Sequence, residues 1–274
     1  MNYPLIATPV STLFQNPKIA KELISLSDCL ECREGTIHYN FVNESLIHLD
    51  IDLTNIWDLS IKNTIKKFLK KKNKLNLISF QISKNCSVEK IKFFNENKKF
   101  KCFFSSGYAY SKKEMKYNAK QNIQWLRKNV KKKIKIAVEN NNYYPTSAYR
   151  FITDGDFLSD IVNDNKIFFL LDIAHAMITA HNKNIPMNDY INTLPLDKII
   201  QLHLCKPLIP ANKDEPAFDT HYIPNKLILS IAKKLIHNHK SIKYLTIEYY
   251  KSATILKKKL KYLKNMISSS CKKA

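Results

Sequence analysis

Residues 134–173 read IKIAVENNNYYPTSAYRFITDGDFLSDIVNDNKIFFLLDI, and this stretch decides the fold class. Two apolar runs, IKIAVE at 134–139 and KIFFLLDI at 166–173, flank a segment of helical period, AYRFITDGDFLSDIVND at 148–164. Strands that read as continuous apolar runs are buried on both faces, and strands joined through a helix are parallel. Working outward, the same unit recurs. Strand-like runs lie at 29–33 (CLECR), 46–51 (LIHLDI), 75–82 (LNLISFQI), 100–104 (FKCFF), 199–204 (IIQLHL) and 244–248 (YLTIE). Further helical segments lie at 56–72, 112–130, 224–239 and 252–267. Eight strand-then-helix units in about 250 residues predict an α/β fold, the (β/α)8 TIM barrel. An open doubly wound sheet would carry fewer strands and a Gly-rich first turn. With 274 residues, 45% hydrophobic and 11% aromatic, the expectation is a single domain spanning 1–274. Its chemistry belongs at the C-terminal ends of the strands.

Composition removes several function classes. Gly occurs only at Gly35, Gly107 and Gly155, so neither a G-x-G-x-x-G fingerprint nor a Walker loop can be written. Lys, Asn, Asp or His interrupts every apolar run before 18 residues, and the opening MNYPLIATPVSTLFQNPK lacks the basic region of a signal peptide. A soluble, cytoplasmic protein without membrane contact is expected. The six cysteines, Cys29, Cys32, Cys86, Cys102, Cys205 and Cys271, show no framework spacing, as in a reducing compartment. Cys29 and Cys32 form a C-x-x-C, but residues three apart on a strand face opposite sides, which argues against a shared metal.

The formal charge of +22 raises the expectation of a polyanionic partner. Two dense runs, Lys66, Lys67, Lys70, Lys71, Lys72 and Lys74, then Lys131, Lys132, Lys133 and Lys135, immediately precede apolar strands. They belong to helix C-termini, where cations complement the helix dipole, and so to the end of the barrel opposite its chemistry. A third run, from Lys257 to Lys264, lies in the last helix. A solvated basic surface is the simpler reading, against a nucleic-acid site.

Polar residues gather where the apolar runs end. Glu139 ends IKIAVE, Asp172 and His175 end FFLLDIAH, His203 sits in IIQLHL, Asp219 and His221 follow in FDTH, and Glu248 ends YLTIE. Each alone has an ordinary structural explanation. Glu139 could cap a helix, D-x-x-H could be a local polar turn, and a single His on an apolar strand is usually a hydrogen-bonded core imidazole. Together, on one rim, they would repel or stay unsatisfied unless cations hold them, so a metal cluster is the economical explanation. Mixed N/O ligation suits Fe, Mn or Zn. His48, Asp50 and His181 are weaker candidates for outer ligands, and Tyr143, Tyr144, Tyr249 and Tyr250 flank the set as groove or packing residues.

The order Glu, D-x-x-H, His, D-x-H, Glu resembles the xylose-isomerase-like barrels, which include endonuclease IV and the multinuclear non-heme iron-dependent oxidases. ENNNYYPT at 139–146, DGDFLSDIV at 154–162 and LLDIAHAMITAHN at 170–182 look most like the oxidase family. That resemblance implies an oxidoreductase acting with dioxygen on a ribosomally made peptide, typically at cysteine, in RiPP biosynthesis. It also implies two or three irons, with zinc or manganese as the alternative, and a partner protein that presents the peptide.

Carried onto this chain, the resemblance implies Glu139 as a carboxylate bridging two metals. Asp172, His203 and Glu248 then surround one ion, and His175, Asp219 and His221 another; Glu139, Asp172 and His203 are the catalytic candidates. Members of the xylose-isomerase-like superfamily usually place histidines at the ends of the third and fourth strands, where this chain has Gln81 and Ser105 and Ser106, so two ions rather than three are expected. The same ligands would also serve an endonuclease IV-like phosphodiesterase on DNA or a sugar isomerase or epimerase.

Overall fold

The computed structural model describes residues 3–36, 38–39, 41, 43–71, 74–86, 89–93, 101–105 and 107–269. Lys72, Phe100, Ser106 and Cys271, which entered the sequence reading, lie outside these residues.

Eight parallel strands close into a barrel: β1 (Leu5–Pro9), β2 (Cys29–Cys32), β3 (Glu44–Asp52), β4 (Leu77–Gln81), β7 (Lys135–Glu139), β8 (Phe168–Asp172), β9 (Ile199–Leu204) and β12 (Tyr244–Ile247). β12 pairs back onto β1, so no edge remains. Helices α1 (Pro17–Leu26), α2 (Leu59–Lys71), α3 (Lys112–Asn129), α4 (Gly155–Asp164), α5 (Ile173–Asn182), α6 (Met187–Thr193), α7 (Lys226–Asn238) and α8 (Ala253–Ser269) separate or follow the strands. Two short hairpins interrupt the alternation: β5 (Glu89–Phe93) with β6 (Lys101–Ser105), and β10 (Lys206–Leu208) with β11 (Phe218–Tyr222).

The barrel is the expected fold, but its strand count is reached differently. The run FKCFF is not a barrel strand, because β6 pairs antiparallel with β5 in an excursion between β4 and α3. Phe103, Phe104 and Ser105 are only half-buried, whereas Leu77–Phe80 of β4 are wholly buried. The missing eighth strand is β1, LIATP, which the prolines at 4 and 9 disguise as a turn-bounded loop. Gln81 therefore ends the fourth barrel strand and His48 lies on the third, while Ser105 belongs to the hairpin.

Strand alternation builds the interior in layers. Ala7, Cys29, Leu46, Leu77, Ala137, Leu170, Ile200 and Tyr244, one from each barrel strand, form a buried apolar cluster. Two residues further along, several of the same strands present polar side chains: Glu31, His48, Ser79, Glu139, Asp172 and Thr246, all buried. Cys29 lies in this inner cluster and Cys32 in the outer core between sheet and helices, so the C-x-x-C pair points to opposite faces as its spacing predicts.

Local signals set the helix starts. Asp172, the last residue of β8, is the N-cap of α5, and its Oδ1 accepts the His175 amide at 2.8 Å. Gly155 opens α4 against α6: a Cβ there would fall 2.2 Å from Oγ1 of Thr193 and 2.4 Å from its backbone oxygen. Lys74 and Lys133 line a separate cavity together with Leu5 and Asn76, which flank strand starts. These members of the two lysine runs therefore lie at the N-terminal end of the barrel. Among the described residues no helix is long and apolar enough to cross a membrane.

Candidate metal centre

The C-terminal ends of the strands open into a cavity of about 650 Å³ lined by Glu139, His175, Asp219, His221 and Glu248 among others. Strand register assembles its floor. Asp172 lies opposite His203 across β8 and β9, Gln81 opposite Glu139 across β4 and β7, and Thr246 opposite His203 across β12 and β9.

Three buried imidazoles share one arrangement, in which one ring nitrogen meets a fixed polar partner and the other faces carboxylates. Nδ1 of His48 is 2.9 Å from Oγ of Ser79, and Nε2 faces Glu139 Oε2 at 3.4 Å and Asp50 Oδ1 at 3.6 Å. Nδ1 of His175 donates to the Asn140 carbonyl at 2.8 Å, and Nε2 faces Asp219 Oδ2 at 3.8 Å and Asp172 Oδ2 at 3.9 Å. Nε2 of His203 is 3.2 Å from Glu31 Oε2, and Nδ1 faces Glu139 Oε1 at 2.8 Å and Glu248 Oε1 at 3.4 Å. A second partner of this kind selects the tautomer and turns the opposite nitrogen toward the carboxylates, as in metal-binding histidines, with Gln81 Nε2 also 3.4 Å from Nε2 of His48.

The carboxylates answer this pattern. Glu139 Oε1 and His203 Nδ1 approach closely without hydrogen-bond geometry, and neither has a hydrogen-bond partner among the described residues. Two donor atoms that face each other but fail to bond are aimed at a common point. Oδ2 of Asp172 is likewise buried and without a hydrogen-bond partner among the described residues, although Oδ1 is occupied by the helix cap. Native interiors seldom leave such atoms unsatisfied, and cations bound at this floor would satisfy them. Among the described residues four groups have ligand atoms mutually within 4.8 Å: His48–Glu139–His203, Glu31–His203–Glu248, Glu139–Asp172–His175 and Asp172–Cys205–Glu248. The residues present thus fit metal ions, and Glu139 belongs to two groups.

Electrostatics shows what holds the acids together when protons are the available cations. Burial alone would push every carboxyl up and every imidazole down. For Glu31, burial is outweighed by Arg33 and His203, which hold the carboxyl down to about 2. Glu248 is held well below the usual range by His203 and Arg33, and Glu139 is lowered by His48 and His203, again against burial. His203 and His175 are raised despite burial by the carboxylates around them, Glu248 and Glu31 for the first and Asp172 for the second. Asp172 is the exception, since burial dominates and pushes its carboxyl up to about 8.

The second half of the chain brings its predicted set to one rim. His175 and His221 both face Asp219, with His221 Nε2 at 3.0 Å, and His221 also approaches Glu248 at 3.8 Å. His221 is 40% exposed and has φ 44°, a left-handed backbone that a non-Gly residue adopts only when its surroundings hold it there. Asn140, next to Glu139, clamps the end of β8 by donating to the Asp172 carbonyl at 3.0 Å and accepting the Asp172 amide at 2.8 Å.

The weaker candidates divide. His48 joins the cluster, and Asp50 lies on the cavity wall, bonded to Gln81 Nε2 at 3.0 Å. His181 does not join, because its Nε2 meets the Glu215 carbonyl at 2.8 Å instead. Tyr144 and Tyr250 line the cavity, whereas Tyr249 packs in the core and Tyr143 lies beneath Lys183. His48 on β3 and Gln81 at the end of β4 thus both reach this floor, whereas Ser105 belongs to the hairpin.

Three participants escaped the sequence reading. Glu31 is the central residue of CLEC, where attention falls on the cysteines, yet it alternates with Cys29 and so faces the interior. Arg33 follows two positions later, its Nη2 paired with Glu31 at 2.7 Å and with Glu248. Cys205 lies just beyond β9, buried, with Sγ 3.7 Å from Asp219 Oδ1. A carboxylate inside an otherwise buried strand was the available signal for Glu31.

The model of the RiPP precursor modification enzymes MbnB/TglH/ChrH matches residues 108–261, more than half of the chain. A UPF0276 protein of Vibrio parahaemolyticus is 29% identical over 90 residues, 32% of this chain and 31% of that protein. Another, of Acaryochloris marina, is 30% identical over 90 residues, 33% of this chain and 32% of that one. The alignment thus spans about a third of the length of these curated relatives. Among solved structures, a xylose isomerase domain containing protein from Salmonella typhimurium superposes with a TM-score of 0.59 at 10% identity, covering 98% of both chains. Endonuclease IV from Thermus thermophilus gives 0.57 at 10%, covering 99% of this chain and 100% of that one. D-psicose 3-epimerase from Clostridium cellulolyticum gives 0.55 at 11%, covering 97% and 98%. At these identities the likeness is one of fold. The sequence match is the more specific, for it contains every candidate ligand from Glu139 to Glu248: the chain belongs to the MbnB/TglH/ChrH family of RiPP precursor modification enzymes.

Proposed function

We propose that this protein is a metal-dependent oxidase that uses dioxygen to modify a ribosomally made peptide, with cysteine as the target residue. The observation that carries the metal reading is the threefold pattern of His48, His175 and His203, each with one nitrogen engaged and the other turned toward shared carboxylates. Family membership supports the peptide substrate. We take 1–274 as one catalytic domain, working in the cytoplasm, where free Cys29, Cys32, Cys86, Cys102 and Cys205 persist as thiols.

In this reading Glu139 would be shared by two ions, one of which Asp172, His203 and Glu248 would hold and the other His175, Asp219 and His221, with His48 beside Glu139. Iron, when bound, would supply dioxygen activation and a position for a substrate sulfur. The chain's own residues orient and enclose. Tyr144, Tyr149, Phe103 and Tyr250 give the cavity apolar walls for a peptide side chain. Arg33 keeps Glu248 and Glu31 ionised and in place. A partner protein would present the peptide at this mouth.

A phosphodiesterase on DNA would need cations around the same mouth. Among the lining residues only Arg33 and Lys84 carry permanent positive charge, and Arg33 is bound to two glutamates. Elemental analysis with Mössbauer spectroscopy, on protein made in iron-supplemented medium and purified without oxygen, tests the proposal. About two irons per chain are expected from the paired ligand sets. Zinc or manganese without iron would replace oxidation by hydrolysis or isomerisation.

A further inference from the structure

We propose that Cys205 is itself a metal ligand, adding a thiolate to the ion held by Asp172 and Glu248; this deepens the metal-centre reading above and rests on it. Cys205 follows β9 directly, two residues after His203, with no exposed surface. One donor atom each of Asp172, Cys205 and Glu248 lies within 4.8 Å of the other two, and all three side chains are buried.

The independent pointer is Asp172. Its side chain has no exposed surface, and Oδ2 has no hydrogen-bond partner among the described residues. The cap on α5 uses only Oδ1. An unsatisfied carboxylate oxygen in a dry interior is costly, and Asp172 is a member of the group that includes the Cys205 sulfur.

The chemistry balances without a redox step. Cys205 Sγ–H points to Asp219 Oδ1 at 3.7 Å. On coordination a metal–sulfur bond replaces the S–H bond, and the proton leaves through Asp219, which lines the cavity and releases it to solvent before taking its own ion. No electron changes hands. A sulfur donor among carboxylates favours iron, cobalt or zinc over magnesium or calcium. It also makes the two ions unequal, since the set assigned to the other ion, His175, Asp219 and His221, contains no sulfur.

The test is an anaerobic cobalt(II) titration of the full-length, metal-free protein, read by absorption. Thiolate ligation is expected to produce a near-ultraviolet sulfur-to-cobalt charge-transfer band beside the visible ligand-field bands. In Cys205→Ala and Cys205→Ser the charge-transfer band should vanish while the ligand-field bands persist. X-ray absorption of the cobalt-loaded wild type needs no variant and should show a sulfur shell at about 2.3 Å. Ligand-field bands with no sulfur shell, or a charge-transfer band that survives in Cys205→Ala, would overturn the assignment of Cys205 alone. Failure of the wild type to bind cobalt at all would overturn the metal-centre reading together with it.

Discussion

Oε2 of Glu31 lies 3.2 Å from Nε2 of His203, joining two residues 172 positions apart across the barrel. The contact points the other ring nitrogen of His203 at Glu139 and Glu248. Gln201 and Thr246 also bond the same carboxylate oxygen, so Glu31 is held from several sides. Glu31→Gln keeps the shape but removes the charge that orders the imidazole. Outer-shell changes of this kind typically weaken metal binding about 10–100-fold. Competition against a chelator should show that loss with the circular dichroism spectrum preserved; unchanged affinity would remove Glu31 from the centre.

Asp172 should make the metal-free protein less stable at alkaline pH. Its carboxyl is raised by burial from 3.8 to about 8, so the folded chain keeps a proton that the unfolded chain releases. That contribution is fully present below about pH 4 and is lost as the pH climbs to about 8. The raised His175 and His203 act in the same direction above their ordinary value of 6.5. Asp172→Asn retains an N-cap acceptor and cannot ionise. Stripped of metal, it should melt at least about 2 °C above the wild type at pH 8, the shift about 1 kcal/mol produces in a domain this large, yet bind metal poorly. A lower Tm than wild type at pH 8 would contradict the burial argument.

Gly155→Ala tests a packing constraint remote from the chemistry. The new methyl would overlap both the side chain and the backbone of Thr193, so α4 and α6 must separate. Overpacking of this type costs about 1–3 kcal/mol. Thermal melts should show a Tm lower by about 2–4 °C per kcal/mol, with metal content per folded chain unchanged. A neutral substitution would mean that the helices part freely.

Lys131, Lys132 and Lys133 lie just before β7, and Lys133 lines the cavity at the strand starts. Replacing all three by Ala should leave peptide modification within about twofold of wild type, because the rim that holds Glu139 is at the opposite end of the strand. A large loss of activity would restore a polyanion as partner.

Most candidate rim residues of the second half were legible because they sit in, end or directly follow an unbroken apolar run, whereas Asp219 and His221 lie in the β10–β11 hairpin and stood out by their D-x-H spacing. Glu139 and Asp172 are the last residues of their strands, and Glu248 immediately follows β12. Glu31, Arg33 and Cys205 were not: the CLEC run is short and its cysteines suggested another role, and Cys205 reads as a continuation of the buried run IIQLHL. FKCFF misled for the converse reason: its residue types favour strand, but strand type does not specify a partner, and it pairs in a local hairpin.

The sequence by itself determined the parallel strand–helix alternation, the barrel class and the end of the barrel where polar residues gather, because periodicity and burial are local properties of the chain. It also determined that alternate residues of one strand share a face, so that Cys29 and Cys32 point to opposite sides; the structure showed that the face shared by Cys29 and Glu31 is the inner one. Only the tertiary structure decided that β1 closes the barrel, that Glu31 meets His203, and that one oxygen of Asp172 caps α5 while the other is left for a ligand. Those relationships depend on register around a closed sheet. A shift of one residue between strands would leave every local pattern intact and turn each of these side chains to the opposite face.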